Sequence, residues 1–236
     1  MKSSAIPILL YHSIDVPPAR DKPFRSLHVH PDRFRSQMRW LKRLGYQGLS
    51  MRDARPYLEG KKQGKVAVIT FDDGFLNVYQ HAMPVLNELG FTATNYFVAN
   101  QIGGRNEWDI PKGAVEIPCM SAEQLRDWAA HGHEVGAHTL DHIYLPDADW
   151  QEAERQISGS KKILEEILGA EVTNFCYPYG GETQAVRDVA RQAGYVHATT
   201  TKRGHARATD DPFGLPRRYI RRTDGGLLFL KKLFGL

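Results

Sequence analysis

The chain has 236 residues, of which 42% are hydrophobic and 25% charged, with a net charge of +4 and a pI near 9.0. That suits one globular α/β domain over residues 1–236 with a sizeable core. Two cysteines, Cys119 and Cys176, imply no disulfide framework. No apolar run is long enough to span a membrane, and Ile6 to Tyr11 is too short for a signal-peptide core, so a cytoplasmic address is expected. From Lys202 onward nine Lys/Arg stand against three Asp. This is not the dense basic stripe of a nucleic-acid binder, but it leaves open an acidic ligand or an anionic surface near the C-terminus.

In chain order, Ile6 to Tyr11 reads as a first strand ending at His12, and Asp15 to Pro31 as a polar loop with four prolines. A unit then recurs: helical periodicity, a glycine stop, a strand. Phe34, Met38, Leu41 and Leu44 share a helix face, ended by Gly45 before a strand at Tyr46 to Ser50. Val66 to Phe71 is a β-branched apolar run, the pattern of a strand buried on both faces. Pro84 opens a helix ended by Gly90 before Phe91 to Val98. Ser121 with Gln124 forms a capping-box signature, and Gly132 ends that helix before His133 to Ala137. Gly169 and Gly194 end two further helices before Val172 to Tyr177 and Tyr195 to Thr201.

Five such passages after an opening strand mean parallel strands with crossover helices. Seven strands, or eight with Arg218 to Arg221, favour a barrel over an open sheet. No GxGxxG fingerprint or P-loop indicates a nucleotide cofactor. In a barrel, His12, Asp72-Asp73, His138 to His142 and Pro178 to Gly181 all follow strand C-termini and converge on one face. Successive strand residues point to opposite faces, so Asp72 and Asp73 reach one site only if the chain turns there, which Gly74 permits. One Asp and two His suit a divalent metal, most simply Zn²⁺. A second, free carboxylate beside them suits a metal-water hydrolase.

Thr70-Phe-Asp-Asp-Gly74, His138-Thr-Leu-Asp-His142 and Tyr177-Pro-Tyr-Gly180 resemble, in order and spacing, the first three motifs of the polysaccharide deacetylases, the NodB-homology domain of carbohydrate esterase family four. The resemblance covers nearly the whole chain. It implies a distorted (β/α) barrel and metal-dependent removal of N-acetyl groups from an amino sugar. By the same resemblance Asp73, His138 and His142 hold the metal, Asp72 is the general base, Thr139 braces its loop, and the backbone N–H of Tyr179 helps stabilise the oxyanion. Many members carry an Arg two residues before the third-motif proline, where this chain has Cys176; Arg217, in Leu-Pro-Arg, is the expected substitute, the other reading being a surface Arg in a basic tail. The C-terminal histidine that supplies the acid in many members has no match, so His12, in a Tyr-His found in some relatives, is expected to take that place. Trp108, Asp109, Pro178 and Tyr179 are expected to contact the sugar, Trp108 by stacking unless it pins its own loop. A related C–N hydrolase (allantoinase-like, or a sugar-lipid deformylase) and a catalytically degraded carbohydrate-binding protein are the alternatives. The tail Leu227 to Leu236, apolar with two lysines, is expected to close the base of the barrel, with membrane contact the lesser alternative.

Overall fold

A computed structural model describes residues 5–235; Leu236, the end of the expected tail, lies outside them. The elements run β1 (Ile8–Tyr11), β2 (Ser13–Ile14), β3 (His28–Val29), α1 (Pro31–Arg43), β4 (Gln47–Leu49), α2 (Met51–Leu58), β5 (Val66–Phe71), α3 (Met83–Leu89), β6 (Thr94–Phe97), α4 (Ala122–Ala130), β7 (Glu134–Ala137), α5 (Trp150–Leu168), β8 (Asn174–Cys176), α6 (Gln184–Gln192), β9 (His197–Arg203), β10 (Leu215–Tyr219) and α7 (Gly226–Phe234).

Strands β1, β10, β9, β8, β7, β6 and β5 pair side by side, all parallel, and β5 returns to β1. Seven strands therefore close a barrel. One edge of β5 carries β1 from Val68 to Phe71; the other is shared, β4 pairing at Val66 to Val68 and β6 at Thr70 and Phe71. The eighth strand is thus β4, wedged outside the ring, and this split distorts the barrel. The last strand is Leu215–Tyr219, where Arg218 to Arg221 was expected.

The core lies between this wall and the helices. On α1, Phe34, Met38 and Leu41 are fully buried, and Phe34 meets Tyr11 edge-on at 5.3 Å. Each such burial contributes about 1.5–3 kcal/mol. The Ser121–Gln124 capping box is formed at α4, whose buried Trp128 donates its Nε1–H to Glu134 O at 2.9 Å. Two helical segments escaped the periodicity. Helix α2 starts at a Ser50 cap and carries Pro56 inside it, where proline ordinarily argues against a helix. A π-helical turn, Val78–Ala82, leads into α3. Helix α7 buries Phe229 and Leu233 in the same core as Phe34 and Met38, and Lys232 reaches Tyr219 O, at the end of β10, at 2.7 Å. The tail therefore flanks the barrel wall instead of closing its base. Among the described residues no helix is long and apolar enough to cross a membrane.

Candidate active site

Strand β5 stops at Phe71. Asp72 N–H still donates to Tyr11 O at 3.0 Å, and then Asp73 (φ 80°) and Gly74 (φ 70°) turn the chain through the left-handed region. The turn begins at Asp73 itself, and it brings both carboxylates into one cavity. A Cβ on Gly74 would fall 2.7 Å from Phe97 Cδ1, so glycine is required there for space as well as conformation. Asp73, Thr139, His142 and Tyr179 are four of the five non-glycine residues with positive φ among the described residues. The fifth, Phe24, also lines the cavity. Each such conformation costs on the order of 1–3 kcal/mol and persists only where its surroundings over-determine it.

The cavity, about 270 Å³, is lined by His12, Asp72, Asp73, Asp109, His138, His142 and Tyr179, together with Phe24, Leu27, Thr201 and Tyr219. His138 Nε2 and His142 Nε2 stand 3.6 and 3.3 Å from Asp73 Oδ1. The 2.7 Å contact of His138 Nδ1 with Cys176 O is an N–H donation, which leaves Nε2 a lone pair aimed at Asp73. Burial holds both imidazoles down at about 4, helped at His138 by the His142 ring and opposed at both by nearby carboxylates, so both are neutral at pH 7. Burial pushes the Asp73 carboxyl up to about 6; His12 and His138 oppose this, while Asp72 and Asp109 add to it. Asp73 Oδ1 is buried with no hydrogen-bond donor. Two neutral imidazoles and a carboxylate short of positive charge are the donor set of a divalent cation, so these residues fit a metal.

Asp72 has the opposite surroundings. Arg217 donates to both of its oxygens, Nη1 to Oδ1 and Nη2 to Oδ2, each at 2.7 Å. Burial alone would raise this carboxyl, but the guanidinium outweighs it and holds the group well below the usual carboxylate range. Arg217 is 1% exposed; it also donates to Thr200 O at 2.8 Å and touches Cys176 Sγ at 3.0 Å. The small thiol at 176 leaves the room that the guanidinium, arriving from β10, occupies.

The second-motif loop is tied through three of its peptide N–H groups. Thr139 Oγ1 accepts from His142 N–H at 2.9 Å, and Gln156 Oε1 accepts from both Leu140 and Asp141 N–H at 3.0 Å. His12 stacks on Tyr219 at 5.3 Å. Burial lowers its pKa, the two carboxylates resist this, and Arg217 and His138 add to it. Asp109 pairs with Lys112 at 3.0 Å, and Lys112 donates to Tyr179 Oη at 2.7 Å. Two residues expected to contact the sugar do not line the cavity. Trp108 stacks on His142 at 4.6 Å, supporting that ring. Pro178 is buried. Sequence reasoning missed Tyr219, Thr201, Lys112 and Gln156. Tyr219 was within reach of it, since it lies two residues beyond Arg217 and so on the same strand face. The others carry no pattern of their own.

The family model described as polysaccharide deacetylase matches residues 59–198. The chain belongs to the polysaccharide deacetylase family. Members are metal-dependent hydrolases that remove N-acetyl groups from sugars. The chain is 31% identical over 218 residues to YxkH of Bacillus subtilis (92% of this chain, 71% of the relative). It is 25% identical over 201 residues to the poly-beta-1,6-N-acetyl-D-glucosamine N-deacetylase of Staphylococcus epidermidis (83% and 69%). Among solved structures, the Streptococcus pyogenes deacetylase PplD in complex with acetate superposes with a TM-score of 0.84 at 25% identity, covering 98% of this chain and 99% of that one. IcaB from Ammonifex degensii gives 0.79 at 27% (92% and 91%).

Proposed function

We propose that this deacetylase removes the acetyl group from an N-acetylated amino sugar in an oligosaccharide, a polysaccharide or a sugar-linked precursor. Asp73, His138 and His142 hold the metal, most simply Zn²⁺, and the convergence of their three donor atoms is the observation that carries the reading. When bound there, such a metal makes water acidic near neutral pH and polarises the acetyl carbonyl. Asp72 takes the proton of the attacking water. Arg217 fixes the plane of that carboxylate and keeps it ionised, at some cost in basicity. The backbone N–H of Tyr179 donates to the developing oxyanion. His12, which also lines the cavity, hands a proton to the departing nitrogen, because an amide anion is a very poor leaving group. Its lowered pKa makes its protonated form a stronger acid while reducing how much of it is present. Asp109 and Tyr179 form the mouth against which the sugar rests. The carboxylate pair, Arg217 and His12 together favour catalysis over a binding role.

The test separates base from ligand. Asp72→Asn is expected to retain stoichiometric metal while turnover of acetylated chito-oligosaccharides falls about 10²–10⁴-fold. Asp73→Asn is expected to lose the metal. If the two variants exchange these behaviours, the assignment within the pair is reversed. Intact metal and full turnover in both would sink it.

A further inference from the structure

A second cleft, of about 280 Å³, adjoins the catalytic cavity and shares Thr201 and Tyr219 with it. Its other lining is cationic: Arg203, Arg218, Arg221 and Lys232, beside Arg217. Arg217 is committed to Asp72 and Lys232 is paired with Asp224. Among the described residues, Arg203, Arg218 and Arg221 have no ion-pair partner. Arg218 is the anomaly. It is 8% exposed, yet its Nε makes no hydrogen bond. Burying a cation without a partner is costly unless an anion joins it. The neighbouring Arg203 adds like-charge repulsion to that cost.

The strands explain the opening. Leu215 pairs with Thr199, but Arg217 pairs with Arg203, so residues 200–202 of β9 stand opposite Pro216 alone. Thr201, in this bulge, lines both spaces. A bulge of this kind re-aims side chains beside an active site.

The geometry points to an anion subsite in this cleft, which receives a carboxylate or phosphate carried by the substrate next to the sugar being deacetylated. Guanidinium groups match both oxyanions in planar, paired hydrogen bonds. The word substrate rests on the function proposed above; the anion site itself does not. The preferred substrate is then an oligosaccharide bearing an acidic sugar or a phosphodiester, and not a neutral homopolymer.

The experiment compares metal-loaded wild type, Arg218→Gln and the double variant Arg203→Gln/Arg218→Gln. The substrates are neutral chitotetraose, the same oligomer with a terminal uronate, and the same oligomer phosphorylated. An anionic oligomer is expected to show a KM lower than the neutral one by about tenfold or more, as one charge-assisted contact implies. The variants should remove that advantage, leave kcat and the neutral substrate unchanged, and fold as well as wild type. Which anionic oligomer gains tells carboxylate from phosphate. Equal KM for all three substrates in wild type, or an advantage that survives in the double variant, overturns the inference. If no oligomer turns over, the deacetylase reading fails by itself. Calorimetric titration of wild type and Arg218→Gln with inorganic phosphate then still decides the subsite: binding weakened in the variant supports it, and equal binding overturns it.

Discussion

Asp72 and Asp73 are adjacent in sequence and sit in opposite electrostatic surroundings. One is clamped by a guanidinium, the other faces imidazoles. The pair was legible because a strand end, two carboxylates and a glycine lie within ten residues. Arg217 was legible only through its Leu-Pro-Arg setting, because which way it points depends on the strand register beside the β9 bulge, which leaves no trace in composition. It was the expected partner of the base, with a surface Arg in a basic tail the other reading, and its two 2.7 Å contacts put it on Asp72. His12 lies between these cases. Its strand end was read, and its stacking partner Tyr219, though within reach, was missed. With its ring against Tyr219 and its Nδ1 buried and unpartnered, His12→Ala is expected to keep fold and metal. Amide hydrolysis should drop about 10²-fold or more, as loss of a positioned acid implies. Nitrophenyl acetate, whose leaving group needs no proton, should lose far less. Equal losses on amide and ester would remove His12 from the proton transfer.

Helices and their glycine stops were the most legible elements. Gly90 and Gly169 end α3 and α5 with φ of 65° and 68°, as residues just past a helix do. The loops were the least legible, because their shape is fixed from outside. The segment from His138 to His142 contains two left-handed residues, and its shape depends on Gln156, which projects from α5. No local rule links a mid-helix glutamine to a loop 15 residues earlier. Trp108, read either as a sugar-stacking ring or as a pin for its own loop, packs on His142. Gln156→Ala strips two peptide N–H groups of their acceptor, a loss of about 1–3 kcal/mol when buried. The variant is expected to fold, with metal affinity in a chelator competition about 10–100-fold weaker, the usual penalty for removing a partner that orients ligands. Unchanged affinity would mean that Thr139 alone holds the loop.

Over the whole molecule, several histidines are buried far from the cavity. His133, against Trp128, and His197 are each held down at about 4, by burial first and then by nearby positive charge. Both are neutral in the fold, whereas in the unfolded chain they take a proton below about 6.5. Stability is therefore fully present above that value, declines as pH falls, and stops declining for these groups below about 4. The upper bound is on the order of 3 kcal/mol for each. Urea unfolding of His197→Gln, compared with wild type in the same metal state, should show a shallower decline between pH 6.5 and 4. Parallel curves would show that His197 protonates freely in the fold. The order of the strands around the barrel has a further consequence, for timing. Strand β1 sits between β5 and β10, so the first strand made waits for the last before the ring can shut. Pairings this distant in sequence form slowly. The strand that shuts the ring also carries Arg217 to Asp72 and Tyr219 to His12. On the ribosome or in refolding, a chain short of this step has the proposed metal-site residues but neither an oriented Asp72 nor a supported His12. Recovered activity is therefore a clock for the final stitch of the barrel.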